Sequence, residues 1–245
     1  MSTVIAFSNQ KGGVGKTTSV VNIAAFCALA GKKTLVIDND PQGNASSVLA
    51  ERGSGTSIYD GGKPLKTLRH ENLWVIPAGE DLIEQEVRLS RKEGGHFVLR
   101  QAINALRSDF DLILIDCPPN LSWLPTNAFF AADQLVVPLQ CEYYALEGLS
   151  QLLAFVDEQR SAGHTNIELA GILLTMFDSR HALARQVVEE VRQHFPTKAF
   201  ASVIPRDVSL AAAPSHGQTI LEHDPLSPGG LAYLAATKEF VNGLK

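Results

Sequence analysis

Residues 9–18 read NQKGGVGKTT and nearly fit the phosphate-binding pattern G-x-x-x-x-G-K-[ST]. Backbone N–H groups of such a loop point at a phosphate, and the helix that follows adds its positive N-terminal end. Lys16 is spaced to reach the β- and γ-phosphates, and the Thr17 hydroxyl is spaced to ligate Mg²⁺. The stretch departs from the pattern because Gln10 replaces the first glycine and a second lysine, Lys11, follows it. The sequence therefore predicts a nucleotide site with one lysine more than a phosphate loop needs.

Acidic residues follow two later apolar stretches. Asp38 and Asp40 begin DNDPQGNAS (38–46), and Asp116 ends DLILID (111–116). Phosphoryl transfer depends on positioning and on neutralising charge, and carboxylates serve both needs. We therefore expect Asp116 to hold the magnesium shell. Asp38 and Asp40 are candidates for polarising a water or tuning that shell.

The segments that must position these residues alternate between apolar runs and helical patterns. Predicted strands cover 3–8, 33–38, 73–78, 111–116, 134–139, 168–177 and 199–205. Predicted helices cover 17–30, 98–108, 144–163, 182–195 and 228 to about 241. Strands that are apolar throughout indicate a sheet covered on both faces, and ligands of such sheets bind beyond the carboxyl ends of the strands. We predict an α/β fold with a doubly wound, mostly parallel sheet and helices on both faces.

Composition narrows the class of protein. Of 245 residues, 45% are hydrophobic and 19% charged, and the net charge of −5 argues against a surface coated in positive charge. Cys27, Cys117 and Cys141 are far apart, so we expect buried thiols in a reducing compartment and neither disulfides nor a C-x-x-C metal pair. No signal peptide and no membrane-spanning apolar run is visible, which predicts a cytoplasmic protein. No linker divides the chain, so residues 1–245 are expected to form one domain.

Together these motifs resemble the deviant Walker A ATPases of the ParA/Soj group, which partition bacterial chromosomes and plasmids. The resemblance covers essentially the whole chain, and its motifs occur in the family's order. They are KGGVGKTT, DNDPQGNAS, DLILIDCPPNLSWLPTNAFFAAD, EYYALEGLSQLL, LLTMFDSR, VIPRDVSLAAAPSHG and ILEHDPLSPGGLAYLAATKEF. It implies a P-loop NTPase of the SIMIBI-like class, with ATP and Mg²⁺ as cofactors.

The resemblance also implies a switch in which two subunits sandwich two nucleotides. Lys11 would reach the partner's phosphates, Lys16 would serve its own nucleotide, and Asp40 would place the hydrolytic water. The implied magnesium residues are Thr17, Asp38 and Asp116. The implied ATP-binding residues are Lys11, Gly12, Gly13, Val14, Gly15, Lys16, Thr17, Thr18, Pro205 and Asp207.

Two positions of this sequence depart from the family pattern. Asp207 stands where asparagine is usual near the adenine, which bears on the base contact. Asn39 separates the two aspartates where an aliphatic residue is usual, which bears on the rate of hydrolysis.

In this family the ATP-bound dimer binds DNA without sequence preference, and a ParB-like protein stimulates its slow hydrolysis, so the resemblance implies a nucleoid-associated protein. Such DNA binding rests on neutralised phosphates. The candidate residues are Arg180, Arg185, Arg192 and Lys198. Solvated helix-face charges are an equally good interpretation of any one of them.

Four other functions remain open to different degrees. One is a biosynthetic ligase with a related loop, although the DPQGN and APSHG segments favour partitioning. A ParA-like ATPase that positions another cargo, such as a chemoreceptor cluster or a microcompartment, would use the same chemistry. A MinD-like ATPase that cycles on membranes needs a basic amphipathic tail helix, and only Lys238 and Lys245 lie near the end of the sequence. An iron–sulfur carrier needs paired cysteine ligands, and Cys117 has no second cysteine at a suitable spacing.

Overall fold

The computed structural model describes residues 2–50, 55–67, 70–79 and 81–244. Part of the glycine- and serine-rich stretch 51–57, which its composition predicts to be a surface loop, lies outside these ranges, as does Lys245. Among the described residues, no helix is both long and apolar enough to cross a membrane.

The described residues form seven strands and ten α-helices. The strands are β1 Thr3–Phe7, β2 Thr34–Asp38, β3 Leu65–Lys66, β4 Leu73–Ile76, β5 Leu112–Asp116, β6 Gln134–Gln140 and β7 Glu168–Thr175. The helices are α1 Lys16–Leu29, α2 Asn44–Leu49, α3 Leu82–Arg91, α4 Val98–Asn104, α5 Trp123–Ala131, α6 Ala145–Ser161, α7 Ala182–His194, α8 Val208–Ala212, α9 Ile220–His223 and α10 Pro228–Gly243. Short 3₁₀ helices cover Ile58–Asp60, Gly95–Phe97 and Ala213–His216.

The strands form one sheet in the order β3-β4-β2-β5-β1-β6-β7. Every neighbouring pair is parallel except β3 with β4. The prediction of a doubly wound, mostly parallel sheet is therefore confirmed. The glycine loop leaves β1 between β5 and β6, so it emerges among the carboxyl ends of the central strands.

Both faces of the sheet are covered by apolar side chains, and neighbouring residues of β1 show how. Val4 and Ala6 pack into the core that α4, α5, α6 and α7 help to form. Ile5 and Phe7 pack into the core that α1 and α10 help to form. All four side chains are fully buried. This arrangement explains why the strand sequences are apolar throughout instead of alternating.

The predicted cysteine environment is also found. Cys27, Cys117 and Cys141 are all buried and unbridged. They pack as small apolar side chains in the two cores.

The predicted last strand, 199–205, is wrong. The segment forms isolated bridges instead of a ladder, Ile172 of β7 with Ala199 and Phe177, just after β7, with Pro205. The Ile204 N–H also donates to the Leu174 carbonyl of β7 at 2.9 Å. Between the two bridges the backbone N–H groups of Ala201 and Ser202 donate to the Glu239 carboxylate of α10, at 2.6 and 3.0 Å. Because those donors are used by a helix side chain, the ladder with β7 is interrupted.

Candidate nucleotide site

The glycine loop is held in an open cradle by residues on both sides. Gly13 and Gly15 adopt left-handed φ angles of 73° and 84°, which glycine adopts at little cost. The Thr175 hydroxyl at the end of β7 donates to the Val14 carbonyl at 2.8 Å. The Asn9 amide donates to the Pro138 carbonyl at 2.8 Å. The loop thus presents the N-terminal end of α1 to the space beyond the strands.

Lys16 is the first residue of α1, and its side chain turns back into the loop. Its ammonium donates to the Lys11 carbonyl at 3.0 Å, and the residue is only 6% exposed. Burial lowers the pKa of Lys16, and the charge of Asp116 acts in the opposite direction. The Lys16 side chain therefore points into the cradle, where a phosphate would bind.

Lys11 has a different partner. Its ammonium lies 2.6 Å from the Glu142 carboxylate, in the connection between β6 and α6. Both side chains are about half exposed. The two loop lysines are thus distinguished by their surroundings, since one is buried within the loop and the other is paired outside it.

Asp116 ends β5 and is fully buried. Among the described residues, no hydrogen-bond donor satisfies either of its carboxylate oxygens. Burial raises the pKa of Asp116 well above its usual range, Asp38 adds to the effect, and the Thr17 hydroxyl and Lys16 oppose it. Buried polar atoms are rarely left without partners, so this carboxylate marks a place for a cation.

The donor set fits magnesium. Mg²⁺ prefers oxygen ligands and usually takes one or two protein oxygens, with phosphates and waters completing its shell. The Asp116 carboxylate and the Thr17 hydroxyl are such ligands. Within the described ranges, no group of three or more His, Cys, Asp and Glu residues is placed to hold a metal by itself. A magnesium ion here would take its other ligands from nucleotide and water.

Asp38 is engaged by its own segment. One carboxylate oxygen accepts the Ser46 backbone N–H at 2.7 Å and the Ser46 hydroxyl at 2.6 Å. The other oxygen accepts the Asp40 N–H at 3.2 Å. Burial raises the pKa of Asp38 to about 6, although the Ser46 hydrogen bonds lower it. These hydrogen bonds stabilise the turn that carries Asp40. A role of Asp38 as a magnesium ligand stays a prediction.

A cleft of about 410 Å³ lies beside the loop. Its lining residues are Gly12, Gly13, Gly15, Lys16, Thr17, Thr18, Val21, Asp40, Gln42, Asn44, Ser47, Val48, Pro119, Met176 and Pro214. Asp40 is 7% exposed, and its carboxylate accepts the Gln42 N–H at 2.9 Å. The cleft therefore brings the predicted hydrolytic aspartate to the same space as the phosphate loop.

Several residues that line the cleft were not predicted from the sequence. Gln42 and Asn44 stand in the motif DNDPQGNAS, so their proximity to Asp40 was a usable signal. Met176 and Pro214 carry no such signal, because only the fold brings them to the loop. Met176 has a φ of 52°, and no other non-glycine residue in the described ranges has a positive φ.

The predicted adenine residues Pro205 and Asp207 do not line this cleft. Asp207 caps α8, because its carboxylate accepts the Ser209 N–H at 2.8 Å. Its second oxygen accepts the Gly229 N–H at 2.6 Å, in the first turn of α10. An acid is well suited to this double cap. A role for either residue at the base stays a prediction.

The four basic candidates lie around α7 but not in one cluster. Arg180 is ion-paired with Asp178 at 2.6 Å. Arg185 donates to the Ser179 carbonyl, and Arg192 donates to the Ala201 carbonyl at 2.9 Å. Lys198 lines a separate cleft of about 110 Å³ beside the end of α10. Arg185 and Arg192 are two helical turns apart on α7 and so share a face.

Comparison with known proteins tests the resemblance. The AAA domain family model matches residues 2–170. The chromosome-partitioning ATPase Soj of Thermus thermophilus is 48% identical, over 96% of this chain and 94% of its own length. The chromosome partitioning protein ParA of Myxococcus xanthus is 46% identical, over 97% of this chain and 87% of its own length.

This chain belongs to the ParA/Soj family. Its fold also matches a solved structure of cobyrinic acid a,c-diamide synthase from Mycobacterium smegmatis with bound ATP analogue and magnesium. That protein is 31% identical with a TM-score of 0.81, covering 97% of this chain and 93% of the other. That neighbour binds the nucleotide class and the metal that the resemblance implies for this chain. In this member of the family, the second lysine of the loop, Lys11, lies outside the cradle and pairs with Glu142.

Proposed function

We propose that this ParA/Soj family member is an ATPase that segregates chromosome or plasmid DNA, with ATP and Mg²⁺ controlling its dimerisation. The observation that carries the proposal is the joint position of Lys16, Thr17 and the unsatisfied Asp116 at one end of the sheet. The partitioning proteins that match nearly the whole chain support the biological role.

Hydrolysis would use the groups that surround the cleft. Lys16 would exchange the Lys11 carbonyl for phosphate oxygens, and the loop N–H groups would bind the same phosphates. Thr17 and Asp116 would hold Mg²⁺, which neutralises developing charge when bound. Asp40 would orient the attacking water, since its carboxylate is fixed by Gln42 at the wall of the cleft. Positioning and charge neutralisation are the main requirements of this reaction.

Dimerisation would use Lys11. Its side chain is about half exposed and its partner Glu142 lies on the surface, so it is accessible to another subunit. An exposed ion pair contributes roughly 0–1 kcal/mol, so an incoming triphosphate can displace Glu142 at little cost. A second subunit carrying ATP would therefore attract Lys11 across the interface.

The dimer would bind DNA through its basic residues and would release it after hydrolysis stimulated by a ParB-like protein. Arg185 and Arg192 share one face of α7 and are exposed, which suits contact with phosphates. The chain's net charge of −5 makes such a local face the only electrostatic route to non-specific DNA.

DNA binding with different nucleotides tests the proposal. Binding to a duplex of arbitrary sequence is measured with ADP, with ATP and with a slowly hydrolysed ATP analogue, each at two salt concentrations. We expect binding with ATP and the analogue, little with ADP, and weaker binding at the higher salt. Binding that never occurs, or that is equal with every nucleotide, would contradict the partitioning role. Co-sedimentation with anionic liposomes that depends on ATP would instead favour a membrane-cycling ATPase.

A further inference from the structure

Asn39 lies between the two aspartates of the site and is fully buried. Its side-chain amide donates to the Leu124 carbonyl in the first turn of α5, at 2.9 Å. Its side-chain oxygen accepts the Tyr59 hydroxyl at 3.0 Å. A buried amide with both ends paired is held firmly, because breaking either bond leaves an unsatisfied polar group.

Tyr59 is itself fixed by its surroundings. It is partly buried and packs against the core under α4 and α5 and against the small cluster of Ala78, Leu82, Leu89 and Leu124. The next residue, Asp60, accepts a hydrogen bond from Gln85 of α3. Burial raises the pKa of Tyr59 well above its usual range, so the hydroxyl remains a donor at physiological pH. Tyr59 is thus held in place by packing, next to the segment that carries Asp40.

The remaining contacts of Asp40 are with its own neighbours. Its N–H donates to Asp38, and its carboxylate accepts from Gln42. These bonds fix the shape of the turn, and the Asn39 N–H donates to the Asp116 carbonyl at 3.0 Å, which ties the start of the turn to the end of β5. The Asn39 side chain supplies a link from this turn to α5 and to the 3₁₀ helix Ile58–Asp60.

We propose that Tyr59 is a positioning residue for ATP hydrolysis, acting through Asn39 to hold the Asp40 carboxylate at its place in the cleft. This inference rests on the proposed ATPase function. A misplacement of about 1 Å at a catalytic group can cost on the order of 100-fold in rate, so a fixed support has a large effect on turnover. Nucleotide affinity depends on the glycine loop, which the network does not touch.

The test is Tyr59→Phe, which removes the hydroxyl and keeps the ring. We expect kcat per folded molecule to fall about 3- to 10-fold, which is the rate equivalent of one neutral hydrogen bond. ATP affinity is expected to stay within about twofold. Amide hydrogen exchange of residues 39–42 should accelerate, because the Asn39 side chain has lost one of its two hydrogen bonds.

A second variant separates positioning from stability. Asn39→Leu combined with Tyr59→Phe replaces both partners of this hydrogen bond by apolar groups of similar shape, and it also removes the Asn39 donor to the Leu124 carbonyl. We expect the double variant to regain part of the lost thermal stability but not the lost kcat, because neither the bond to Tyr59 nor the bond to Leu124 then anchors the turn. The matched control is Tyr233→Phe, which removes another buried tyrosine hydroxyl, bonded to Ser19 at 3.1 Å in the other core. That control should lose thermal stability and keep its kcat.

Two results would overturn the inference. One is Tyr59→Phe with unchanged kcat and unchanged exchange of residues 39–42, while the wild type hydrolyses ATP. The other is an equal fall of kcat in Tyr233→Phe, which would indicate a general effect of stability. If the wild type hydrolyses no ATP, the proposed function fails. The exchange rates then decide the anchoring alone: faster exchange supports it, and unchanged exchange overturns it.

Discussion

Lys11 and Lys16 are five residues apart and lie in different environments. Lys16 is buried and donates to a loop carbonyl, whereas Lys11 is about half exposed and pairs with Glu142. A single loop therefore carries one buried lysine whose ammonium points into the cradle and one lysine that is accessible to another molecule. Because of this difference, we expect the two alanine variants to affect different properties, ATP affinity in one case and dimerisation in the other.

Lys16→Ala is expected to weaken ATP binding itself, because the ammonium aimed into the cradle is lost. Lys11→Ala is expected to keep most of the monomer's ATP affinity and to abolish the ATP-dependent dimer. Titration with a fluorescent ATP analogue measures the first property, and analytical ultracentrifugation measures the second. Lys33→Ala, at an exposed lysine before β2, is the control. Normal dimerisation of Lys11→Ala would refute the cross-subunit role.

Asp40→Ala is expected to retain nucleotide binding and dimerisation and to lose turnover. The phosphate loop and the Thr17–Asp116 pair do not depend on the Asp40 carboxylate, whereas water placement does. Phosphate release under single-turnover conditions measures the loss, which we expect to be on the order of 100-fold or more. Turnover at the wild-type rate would remove Asp40 from its proposed role.

At the scale of elements, the short helix α9 depends on a capping box. Glu222 accepts the Thr219 N–H at 2.8 Å, and the Asn22 side chain of α1 accepts the Ile220 N–H at 2.7 Å. Burial alone would raise the pKa of Glu222, but the His70 imidazole, 3.6 Å away, and the hydrogen bonds from Thr219 lower it to about 2. Because the pKa is lowered in the folded state, the carboxylate stabilises the fold above its unfolded pKa of about 4.3.

We therefore expect Glu222→Ala to lower the free energy of unfolding by about 1 kcal/mol near neutral pH, the usual size for a lost helix cap. The difference from wild type should shrink as pH falls from about 4.5 toward 2, where the wild-type carboxylate becomes protonated. Urea unfolding at several pH values measures it. Glu189→Ala, at an exposed position of α7, is the control. A difference that grows as pH falls would contradict the assignment.

The elements show which features the sequence predicts and which it leaves hidden. The strand ends at Asp38 and Asp116 follow from apolar runs, because parallel strands place their carboxyl ends together. Helix α5 was missed because it is apolar on every side and has Pro125 in its first turn, so it shows no helical period. The segment 199–205 reads as a strand, but Glu239, distant in sequence, takes its donors.

The same limit applies to the site. The glycine loop and the aspartates belong to local motifs, so their individual residues could be named as site candidates from the sequence. The pairing of Asn39 with Tyr59 joins residues 20 apart, and that of Asp207 with Gly229 joins residues 22 apart, through side chains whose directions only the fold determines. Both positions depart from the family pattern, and each proves to satisfy backbone or side-chain partners within the protein.

At the scale of the whole molecule, an acidic chain is proposed to bind a polyanion. This requires that a few exposed basic residues dominate the local field. Arg185→Ala with Arg192→Ala should reduce DNA affinity and lower the steepness of its salt dependence by about 0.9 for each DNA phosphate that is no longer neutralised. Arg91→Ala with Lys92→Ala, at exposed residues where α3 ends, is the charge-matched control. An equal effect of both pairs would indicate an influence of net charge alone.

The hydrogen bond from the Lys16 ammonium to the Lys11 carbonyl also sets an order of events. While it persists, the backbone of Lys11 is tied to the start of α1. A phosphate that attracts the Lys16 ammonium would break this tie and loosen the Lys11 backbone, which keeps its N–H bond to the Asn9 side chain. ATP binding would thus come first and subunit pairing second, so that an empty protomer is kept from joining too early.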